Sequence, residues 1–559
     1  MHKYGELLRG LLEKRGIVNE AQADIFLNPD YKRDLHDPFL MRDMEKACVR
    51  LYKAVESKEK IVIYADYDCD GIPGAVILVD LFKEINYKNY EVYIPQRNSE
   101  GYGLNIEAIK QFEKSNAKLL ITIDLGITAV AEVAQAEVDG IDVIITDHHI
   151  PPNNLPRAFA ILNPKMDTYP EKMLCGAGVV FKFVQGFLKK YGEYYKVKDG
   201  AEKWMLDMAG LATLSDMVPL IGENRAIAHF GMKVLRKSPR PGLQKLLAKM
   251  NIDQKYLSED DIGFMVTPRL NAASRMDNPI RAFELLATSD EVEGGSLADH
   301  LSKINDDRKT IVTGIMREAH KKLKTYEHKE VIVIGNPKWR VGILGLVAGK
   351  ISDQYKKPVF VWGEDENSCL KGSCRSDGSV SVVELMTASR SSFLDFGGHE
   401  LAGGFTVRHD KIHFLEEILS ENFNKIQNSE KGQSLKNSER TVLEKADLAG
   451  DLSLVNMKNW KEIEKLSPFG FGNPKPVFLF EGVKIEKIKK FGKNGSGEHL
   501  EIIFSDVNQA KAKAISFFSS VDSFENKLEE GLKVNLLATF DLSRFRGREE
   551  LRLRIEDII

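Results

Sequence analysis

Short apolar runs alternate with amphipathic helical stretches over much of the first half of the chain. The runs IVIY (61–64), EVYI (91–94), LLITI (119–123) and DVIIT (142–146) are almost continuously apolar and too short for buried helices. This pattern is typical of strands that are covered on both faces. It predicts a parallel, doubly wound sheet with helices on both sides.

Helical periodicity flanks this predicted sheet. Leucines recur at helical spacing within residues 7–12, and charged residues fill the gaps, which predicts a helical segment over residues 1–55. From about 155 to 325 the pattern is again mainly helical, and residues 297–323 indicate one long helix.

The second half of the chain starts with another alternation of strand and helix. It begins at VIVIG (331–335), passes through VGILGLVAGKI (341–351) and ends near residue 425. Residues 427–440 are polar or small except for one leucine, which is typical of a linker. Five short strand-like runs with turn residues between them then follow, and they predict a small antiparallel barrel.

These patterns describe an α/β protein of several domains. We expect an N-terminal helical segment (1–55), a parallel-sheet domain with a long connecting helix (56–325), a smaller α/β domain (326–426), a linker (427–442) and a β-barrel domain (443–559).

Composition narrows the classes of function. The 79 Lys and Arg against 82 Asp and Glu give a net charge of −3, which excludes a chain held to nucleic acid by its overall charge but allows local basic patches. Five scattered cysteines form no pair at zinc-binding spacing and favour a reducing, cytoplasmic location. No apolar run is long enough to predict a membrane span or a signal peptide.

Three carboxylates follow the first predicted strand. Asp66, Asp68 and Asp70 come directly after IVIYA, and Gly71 follows them. If the chain stays extended, a period of two places all three on one side. Three like charges are costly to bury together unless a cation neutralises them, although a solvated acidic loop is the alternative.

Acidic residues recur at the ends of later segments. LLITI runs into Asp124, DVIIT runs into Asp147 and the pair His148–His149, and LATLS (211–215) runs into Asp216. Because the carboxyl ends of parallel strands share one edge of a sheet, these side chains can converge with those of the first strand. Carboxylates with one or two imidazoles suit Mn²⁺ or Mg²⁺ better than a structural zinc site. Two such ions sharing a carboxylate commonly hydrolyse phosphoesters.

The motifs resemble a known family. DYDCDG (66–71), IDLG (123–126), TDHH (146–149) and LSDMVPL (214–220) resemble, in order, the four motifs of the DHH phosphoesterase superfamily. Within it, further segments are similar to the RecJ family. These segments are PQRNSEGYG (95–103), PRLNAASRM (268–276), WRVGILGLVAGKI (339–351), KGSCRS (371–376), FGGHELAGGF (396–405) and LSPFGFGNPKPVF (466–478).

The resemblance implies a fold, an activity and partners. It implies a DHH catalytic domain, a DHH-associated substrate-binding domain and an OB-like barrel that binds nucleic acid. The implied activity is a two-metal, Mn²⁺- or Mg²⁺-dependent exonuclease that degrades single-stranded DNA 5′→3′ to nucleoside 5′-monophosphates in DNA repair and recombination. A monomer is implied, with single-strand binding protein and a RecQ-type helicase as family-level partners.

The resemblance also assigns roles at the acidic edge. The implied metal ligands, or their immediate supports, are Asp66, Asp68, Asp70, Asp124, Asp147, His148 and Asp216. Asp147 and His149 are the implied catalytic pair, with His149 beside the metals, where it contacts the scissile phosphate or orients a ligand. Which carboxylates of the first motif bind a metal directly stays open. Pro73, Leu125 and Arg340 depart from the family pattern, and Arg340 puts one substrate contact in doubt.

A second set of residues is implied to bind the substrate. Arginine forks and hydroxyls suit a terminal phosphate, and a surface ion pair is the alternative for any single arginine. The implied contacts are Arg97, Arg275, Ser373 and Arg375, with Gly397, Gly398 and His399 as a close nucleic-acid contact or a turn with a structural histidine. In the barrel, six lysines between residues 474 and 493 and Phe545 among arginines favour single-strand binding over a solvated hairpin face.

Two other classes compete with the exonuclease. One is a related enzyme that acts on short RNA, cyclic dinucleotides or pyrophosphate, but such chains usually lack a C-terminal barrel. The other is a non-catalytic scaffold, which would be expected to lose metal ligands that this chain retains.

Overall fold

The structure is a computed structural model that describes residues 1–97, 100–166, 168–324, 329–428, 445–492, 499–517, 519–524, 528–544 and 549–559. The chain forms two compact units. One comprises residues 1–35, 217–229 and 440–559, and the other comprises residues 36–216 and 230–439. Among the described residues, no helix has both the length and the apolar character needed to cross a membrane.

Helices and strands are numbered along the chain. The helices are α1 (Glu6–Lys14), α2 (Glu20–Leu27), α3 (Tyr31–Asp34), α4 (Met44–Glu56), α5 (Gly71–Glu84), α6 (Ile106–Lys114), α7 (Val130–Val138), α8 (Gly176–Tyr191), α9 (Leu206–Ser215), α10 (Gly222–Leu235), α11 (Pro241–Lys249), α12 (Glu259–Asp261), α13 (Thr267–Met276), α14 (Ile280–Ala287), α15 (Glu291–Leu323), α16 (Leu344–Tyr355), α17 (Val382–Ala388), α18 (Leu415–Gln427) and α19 (Met457–Glu464). The strands are β1 (Lys60–Ala65), β2 (Tyr90–Tyr93), β3 (Ala117–Ile123), β4 (Asp142–Thr146), β5 (Ala160–Leu162), β6 (Ile332–Gly335), β7 (Val359–Glu364), β8 (Leu370–Arg375), β9 (Phe393–Gly398), β10 (Ala402–Val407), β11 (Leu448–Ala449), β12 (Phe478–Phe491), β13 (His499–Ser505), β14 (Lys511–Phe517), β15 (Lys533–Ser543) and β16 (Glu550–Ile558).

The first sheet is entirely parallel, as predicted. Its strand order is β2-β1-β3-β4-β5. Residues of β1, β3 and β4 are buried almost without interruption, because helices cover the sheet. The near-continuous apolar runs of the sequence therefore report strands with no solvated face.

A second, mixed sheet follows the long helix α15. Its strand order is β6-β7-β8-β10-β9, in which only β6 and β7 pair in parallel. Helix α16 packs on β7 and β8. This is the smaller α/β domain that the alternation after residue 331 predicted.

The third sheet closes into a barrel. Strands β12, β13, β14, β16 and β15 pair in that order, and β15 pairs back with β12. Its core includes Leu8, Leu11 and Leu12 of α1, which are fully buried among barrel residues. The helical segment predicted over residues 1–55 thus divides between the two compact units after Leu35.

Candidate metal centre and nucleic-acid interface

Three aspartates stand in a row at the carboxyl edge of the first sheet. The backbone N–H groups of Asp66, Asp124 and Asp147 each donate to the carbonyl at the end of the neighbouring strand, at 3.1, 2.9 and 3.1 Å. The sheet hydrogen bonding therefore continues one residue beyond β1, β3 and β4. This places the three side chains on one edge.

The chain does not stay extended after Asp66, contrary to the condition set for the first motif. Oδ1 of Asp68 accepts hydrogen bonds from the backbone N–H groups of Asp70 at 2.8 Å and Gly71 at 3.2 Å, so the chain turns directly into α5. A short aspartate side chain commonly forms such a turn with its own backbone. The segment before Asp216 is helix α9, so only three of the four acidic segments are strands.

The turn still brings the acidic and imidazole groups together. Ligand atoms lie within 4.8 Å of one another in three groups that share members. These groups are Asp66 with Asp68 and Asp124, Asp70 with His148 and Asp216, and Asp124 with His148 and His149. Asp124 and His148 each belong to two groups, which is what adjacent cation sites with shared ligands require.

Two buried carboxylate oxygens of this cluster have no hydrogen-bond partner among the described residues, and such oxygens suit a hard divalent cation. Oδ1 of Asp66 is buried and has no hydrogen-bond partner among the described residues. Oδ1 of Asp124 lies 3.1 Å from Nε2 of His148 but likewise has no hydrogen-bond partner among the described residues. Oxygen-rich ligand sets of this kind suit Mg²⁺ or Mn²⁺.

Burial and like charge raise the pKa of the cluster carboxylates. Desolvation is the larger cause and neighbouring carboxylates the next. Together they raise the pKa of Asp70 to about 7 and that of Asp216 to about 9. The same causes hold the pKa of Asp66 and Asp124 well above the ordinary value. A bound cation would remove this penalty, since it stabilises the charged form.

Asp147 is used differently from the other carboxylates. Its Oδ1 accepts from the backbone N–H groups of His148 and His149 and lies 2.8 Å from Nδ1 of His149, while Oδ2 accepts from Ile127. Burial pushes its pKa upward, but these bonds and the charge of His149 outweigh burial and lower the pKa of Asp147. The geometry makes Asp147 an orienting group for His149.

The pKa values of the two histidines shift in opposite directions because their surroundings differ. Burial is the largest influence on His149 and lowers its pKa, but the hydrogen bond to Asp147 and the charges of Asp147 and Asp70 together outweigh burial, and the net shift is upward. Carboxylates also lie near His148, such as Asp124 at 3.1 Å, but burial followed by the charge of His149 outweighs them and lowers the pKa of His148 to about 3. His148 is therefore neutral, the form that ligates a metal, whereas His149 is the better proton donor.

The N-terminus of α8 holds Asp70, and the motifs did not predict this. The backbone N–H groups of Gly176 and Ala177 donate to Oδ2 and Oδ1 of Asp70 at 2.5 and 2.7 Å. Positively polarised N–H groups at a helix start are suited to a carboxylate. In the sequence, the run Leu-Cys-Gly-Ala-Gly before a helical pattern could have indicated this helix start.

The residues after β5 were also missed. Nδ2 of Asn163 donates to the carbonyl of His149 at 2.9 Å, and Nζ of Lys165 donates to the carbonyl of His148. Both contacts fix the backbone of the histidine pair from the neighbouring strand end. An Asn-Pro-Lys turn is too common in sequences to be singled out without this contact.

Four substrate-binding candidates, two from the first domain (Arg97 and Arg275) and two from the second (Ser373 and Arg375), lie near one another. The guanidinium of Arg97 lies 5.1 Å from the ring centre of Tyr67. Burial, followed by the charges of Arg97, Arg308 and Arg375, lowers the pKa of Arg275 to about 9. A Cβ added at Gly345 would lie 2.9 Å from Nη2 of Arg375 and 3.6 Å from Ser373 Cβ. We call Arg97, Arg275, Ser373 and Arg375 the arginine group.

The GGH segment approaches the DHH histidines. The rings of His149 and His399 are nearly parallel, at 12°, with centres 5.9 Å apart. Gly398 has a φ of 145°, and a Cβ there would lie 2.4 Å from the carbonyl oxygen of Ala402, so only glycine fits this turn. The structure therefore brings His399 beside the acidic edge.

Two of the departures from the family pattern, Leu125 and Arg340, have local roles. Nη2 of Arg340 donates to the carbonyl of Met276 at 2.7 Å. The carbonyl of Leu125 accepts from Oγ1 of Thr122 at 2.8 Å and its side chain is buried. Neither departure removes a member of the acidic cluster.

The barrel carries an aromatic row that sequence reasoning missed. The ring centres of Phe491 and His499 are 5.2 Å apart, and those of His499 and Phe517 are 5.5 Å apart. The guanidinium groups of Arg552 and Arg554 each lie 5.9 Å from the Phe517 ring centre. We call Phe491, His499 and Phe517 the aromatic row. They become neighbours only through the register of β12, β13 and β14, which the sequence does not specify.

Phe545, which we predicted as a stacking residue, lies outside the described residues. The lysines at 484, 487, 489 and 490 are exposed on β12, the strand that carries Phe491. Exposed basic groups beside the half-buried rings of Phe491 and His499 and the exposed ring of Phe517 are the composition of a single-strand platform.

Comparison with known proteins defines the class as a DHH phosphoesterase. Residues 60–213 match the N-terminal domain of the DHH family, residues 300–425 match the DHHA1 domain, and residues 446–557 match the RecJ OB domain. The chain is 32% identical to the single-stranded-DNA-specific exonuclease RecJ of Bacillus subtilis, over 99% of this chain and 67% of that relative. The chain belongs to the RecJ family.

Solved structures agree with this assignment. The crystal structure of RecJ from Thermus thermophilus in complex with Mn²⁺ shares the fold with a TM-score of 0.81 at 24% identity, covering all of this chain and 76% of that one. A structure of exonuclease RecJ bound to manganese has a TM-score of 0.62 at 27% identity, covering 72% of this chain and 98% of that one. The predicted fold class and family are confirmed.

Proposed function

We propose that this chain is a Mn²⁺- or Mg²⁺-dependent exonuclease that degrades single-stranded DNA from its 5′ end to nucleoside 5′-monophosphates. The observation that carries this proposal is the set of shared carboxylate and imidazole groups, with Asp66 and Asp124 oxygens left without hydrogen bonds. The Bacillus subtilis relative is named as a single-stranded-DNA-specific exonuclease, and a related RecJ is bound to manganese.

The acidic edge supplies the chemistry in this proposal. The residues that would hold the ions are Asp66, Asp68, Asp70, Asp124, His148 and Asp216. When bound, the ions activate the attacking water and neutralise charge on the leaving oxygen. Asp147 holds His149 in its protonated form, and His149 donates a hydrogen bond to the scissile phosphate.

The arginine group sets the polarity of cleavage. Arg97, Arg275, Ser373 and Arg375 hold the terminal 5′ phosphate, and the support for this is the mutual repulsion of arginines that an anion would relieve. Along the bound DNA strand, the segment Gly397–His399 lies between this phosphate and the metal centre. Cleavage then removes one nucleotide from the 5′ end at each turnover.

Each predicted domain has its own role in the proposed exonuclease. Residues 56–325 carry the chemistry, and residues 326–426 form the substrate-binding domain. Residues 427–442 link these two domains to the barrel. The barrel, residues 443–559, holds the single-stranded DNA. The match of the barrel region to the RecJ OB domain argues against a relative that acts on dinucleotides alone. The enzyme acts in the cytoplasm as a monomer in DNA repair and recombination, with single-strand binding protein and a RecQ-type helicase as partners.

The deciding experiment follows labelled single strands with added Mn²⁺. A 5′ label is expected to appear at once as a mononucleotide, whereas a 3′-labelled strand shortens progressively and a blunt duplex resists. Asp216→Ala abolishes the cleavage. Degradation that starts at the 3′ end, or full cleavage in excess chelator, would show that the proposal is wrong.

A further inference from the structure

A cluster of buried polar side chains lies on the two packed helices α13 and α15. Helix α13 contributes Arg269 and Asn271, and helix α15 contributes Ser302, Asn305 and Arg308. Asn305 is fully buried, and Arg269 and Ser302 are each 8% exposed. None of these residues belongs to the acidic cluster or to the arginine group.

The cluster contains more hydrogen-bonding capacity than the described residues satisfy. The Nε atoms of Arg269 and Arg308, both side-chain polar atoms of Asn305, Oδ1 of Asn271 and Oγ of Ser302 are buried without a partner among them. The one bond from the Arg269 side chain goes from Nη1 to the carbonyl of Met265, at 2.7 Å. Unpaired buried groups destabilise a fold unless something binds to them, so their concentration in one place needs an explanation.

The charge of the cluster is positive and poorly compensated. Burial lowers the pKa of Arg269 and Arg308, and the charge of Arg269 lowers that of Arg308 further. The carboxylate that acts on both is Asp306, which is exposed and lies 3.4 Å from Nζ of Lys309. Arg308 also contributes to the lowered pKa of Arg275, so the charge of the cluster acts on the arginine group.

We propose that Arg269, Asn271, Ser302, Asn305 and Arg308 form a second anion site that takes a phosphate group. Guanidinium forks bind phosphate oxygens in pairs, and Nδ2 of Asn305 and the hydroxyl of Ser302 supply further donors. The source of the phosphate rests on the proposed function, because the neighbouring arginine group is assigned to the 5′ end of a DNA strand. It is either a backbone phosphodiester of that strand or the second phosphate of a 5′-diphosphate end.

The test measures binding in chelator, so that it does not depend on nuclease activity. The probes are fluorescent oligothymidylates with either a 5′-monophosphate or a 5′-diphosphate, and the proteins are full-length. Arg308→Met removes the fork, Arg308→Lys keeps only the charge, and Arg317→Met is the matched control on the exposed face of the same helix. Arg308→Met is expected to weaken binding at least about tenfold, Arg308→Lys less, and Arg317→Met not at all.

The two ends separate the two sources of phosphate. If the 5′-diphosphate strand binds more tightly than the monophosphate strand and only this gain is lost in Arg308→Met, the site takes the second terminal phosphate. If Arg308→Met weakens both strands equally, the site takes a backbone phosphodiester. Wild-type affinity of Arg308→Met for both strands would overturn the proposal, whatever the cleavage assay shows.

Thermal unfolding distinguishes a binding site from a structural cluster. Arg308 makes no hydrogen bond or ion pair with a described residue, so Arg308→Met and Asn305→Leu are expected to unfold at or above the wild-type temperature. If both variants unfold at a markedly lower temperature, the cluster stabilises the fold and the proposal is wrong.

Discussion

The backbone N–H of Gly176 donates to Oδ2 of Asp70 over 2.5 Å, at the first residue of α8. The same glycine lies against Asp124, because a Cβ added to Gly176 would be 2.6 Å from Asp124 Cβ. One backbone position therefore supports two carboxylates from different strand ends. The candidate metal centre is therefore built around this close approach of helix and sheet edge.

We expect Gly176→Ala to displace Asp124 or Asp70 and to weaken Mn²⁺ binding at least about tenfold. Gly178→Ala in the same helix is the matched control, because a Cβ there meets its neighbours at ordinary distances of 3.5 Å or more. Isothermal titration with Mn²⁺ measures the effect. Equal affinities in the two variants would show that the approach of Gly176 does not set the geometry of the centre.

Removing one cluster carboxylate should abolish cleavage without lowering the stability of the fold. Asp216→Ala and Asp124→Asn each relieve repulsion among buried like charges, so the melting temperature in chelator is expected to stay equal or rise. Cleavage and the rise in melting temperature on adding Mn²⁺ should both be lost. Asp353→Ala, at an exposed position of α16, should change neither. A folded Asp216→Ala protein with full metal-dependent cleavage would contradict the assigned ligand set.

The raised carboxylate pKa values predict how the metal-free protein responds to pH. The pKa of Asp70 is about 7 and that of Asp216 about 9, against roughly 3.9 for an unfolded aspartate. Between these limits the native state binds more protons than the unfolded chain, so the free energy of unfolding contributed by these groups falls as pH rises.

A bound cation should reverse this pH response. It stabilises the ionised carboxylates, so the melting-temperature difference between Mg²⁺-loaded and chelated protein is expected to widen from pH 6 to pH 8.5. Asp216→Asn, which cannot ionise, should flatten the trend. Differential scanning fluorimetry across this range measures it, and a difference that narrows with pH would contradict the prediction.

The sequence was most informative where a single strand end carries the chemistry. Asp66, Asp124 and Asp147 could be placed on one edge because a parallel sheet aligns its carboxyl ends. The turn made by Asp68 could not be predicted from a period of two, since a side chain that bonds its own backbone breaks that period. The support of Asp70 by Gly176 joins residues 106 positions apart and depends on helix packing.

The barrel shows the same limit more strongly. Its five strands were predictable from alternation and turns, but the burial of Leu8, Leu11 and Leu12 in its core was not. The pattern of an amphipathic helix indicates that its apolar face packs against other apolar residues, but it does not indicate which part of the chain supplies them. The aromatic row was hidden for a related reason, because cross-strand neighbours are set by register.

The aromatic row should hold single-stranded DNA by stacking. Phe517 is 39% exposed and has two guanidinium groups near its ring. Each stacked base contributes on the order of 1–3 kcal/mol. Phe517→Ala is therefore expected to weaken binding of a long oligothymidylate by roughly 5- to 150-fold. The control is Val507→Ala, an exposed position at the opposite end of the β13–β14 hairpin.

Stacking and charge can be told apart by salt. A neutralised phosphate changes the slope of log affinity against log salt by about 0.7, whereas a lost stacking contact leaves that slope unchanged. Phe517→Ala should therefore bind more weakly at every salt concentration with the wild-type slope, while Lys489→Ala should flatten it. Cleavage at saturating DNA should survive in both variants, since neither residue lies in the unit that carries the acidic cluster. Loss of turnover at saturation in Phe517→Ala would place the row in the catalytic step and contradict its assignment to strand binding.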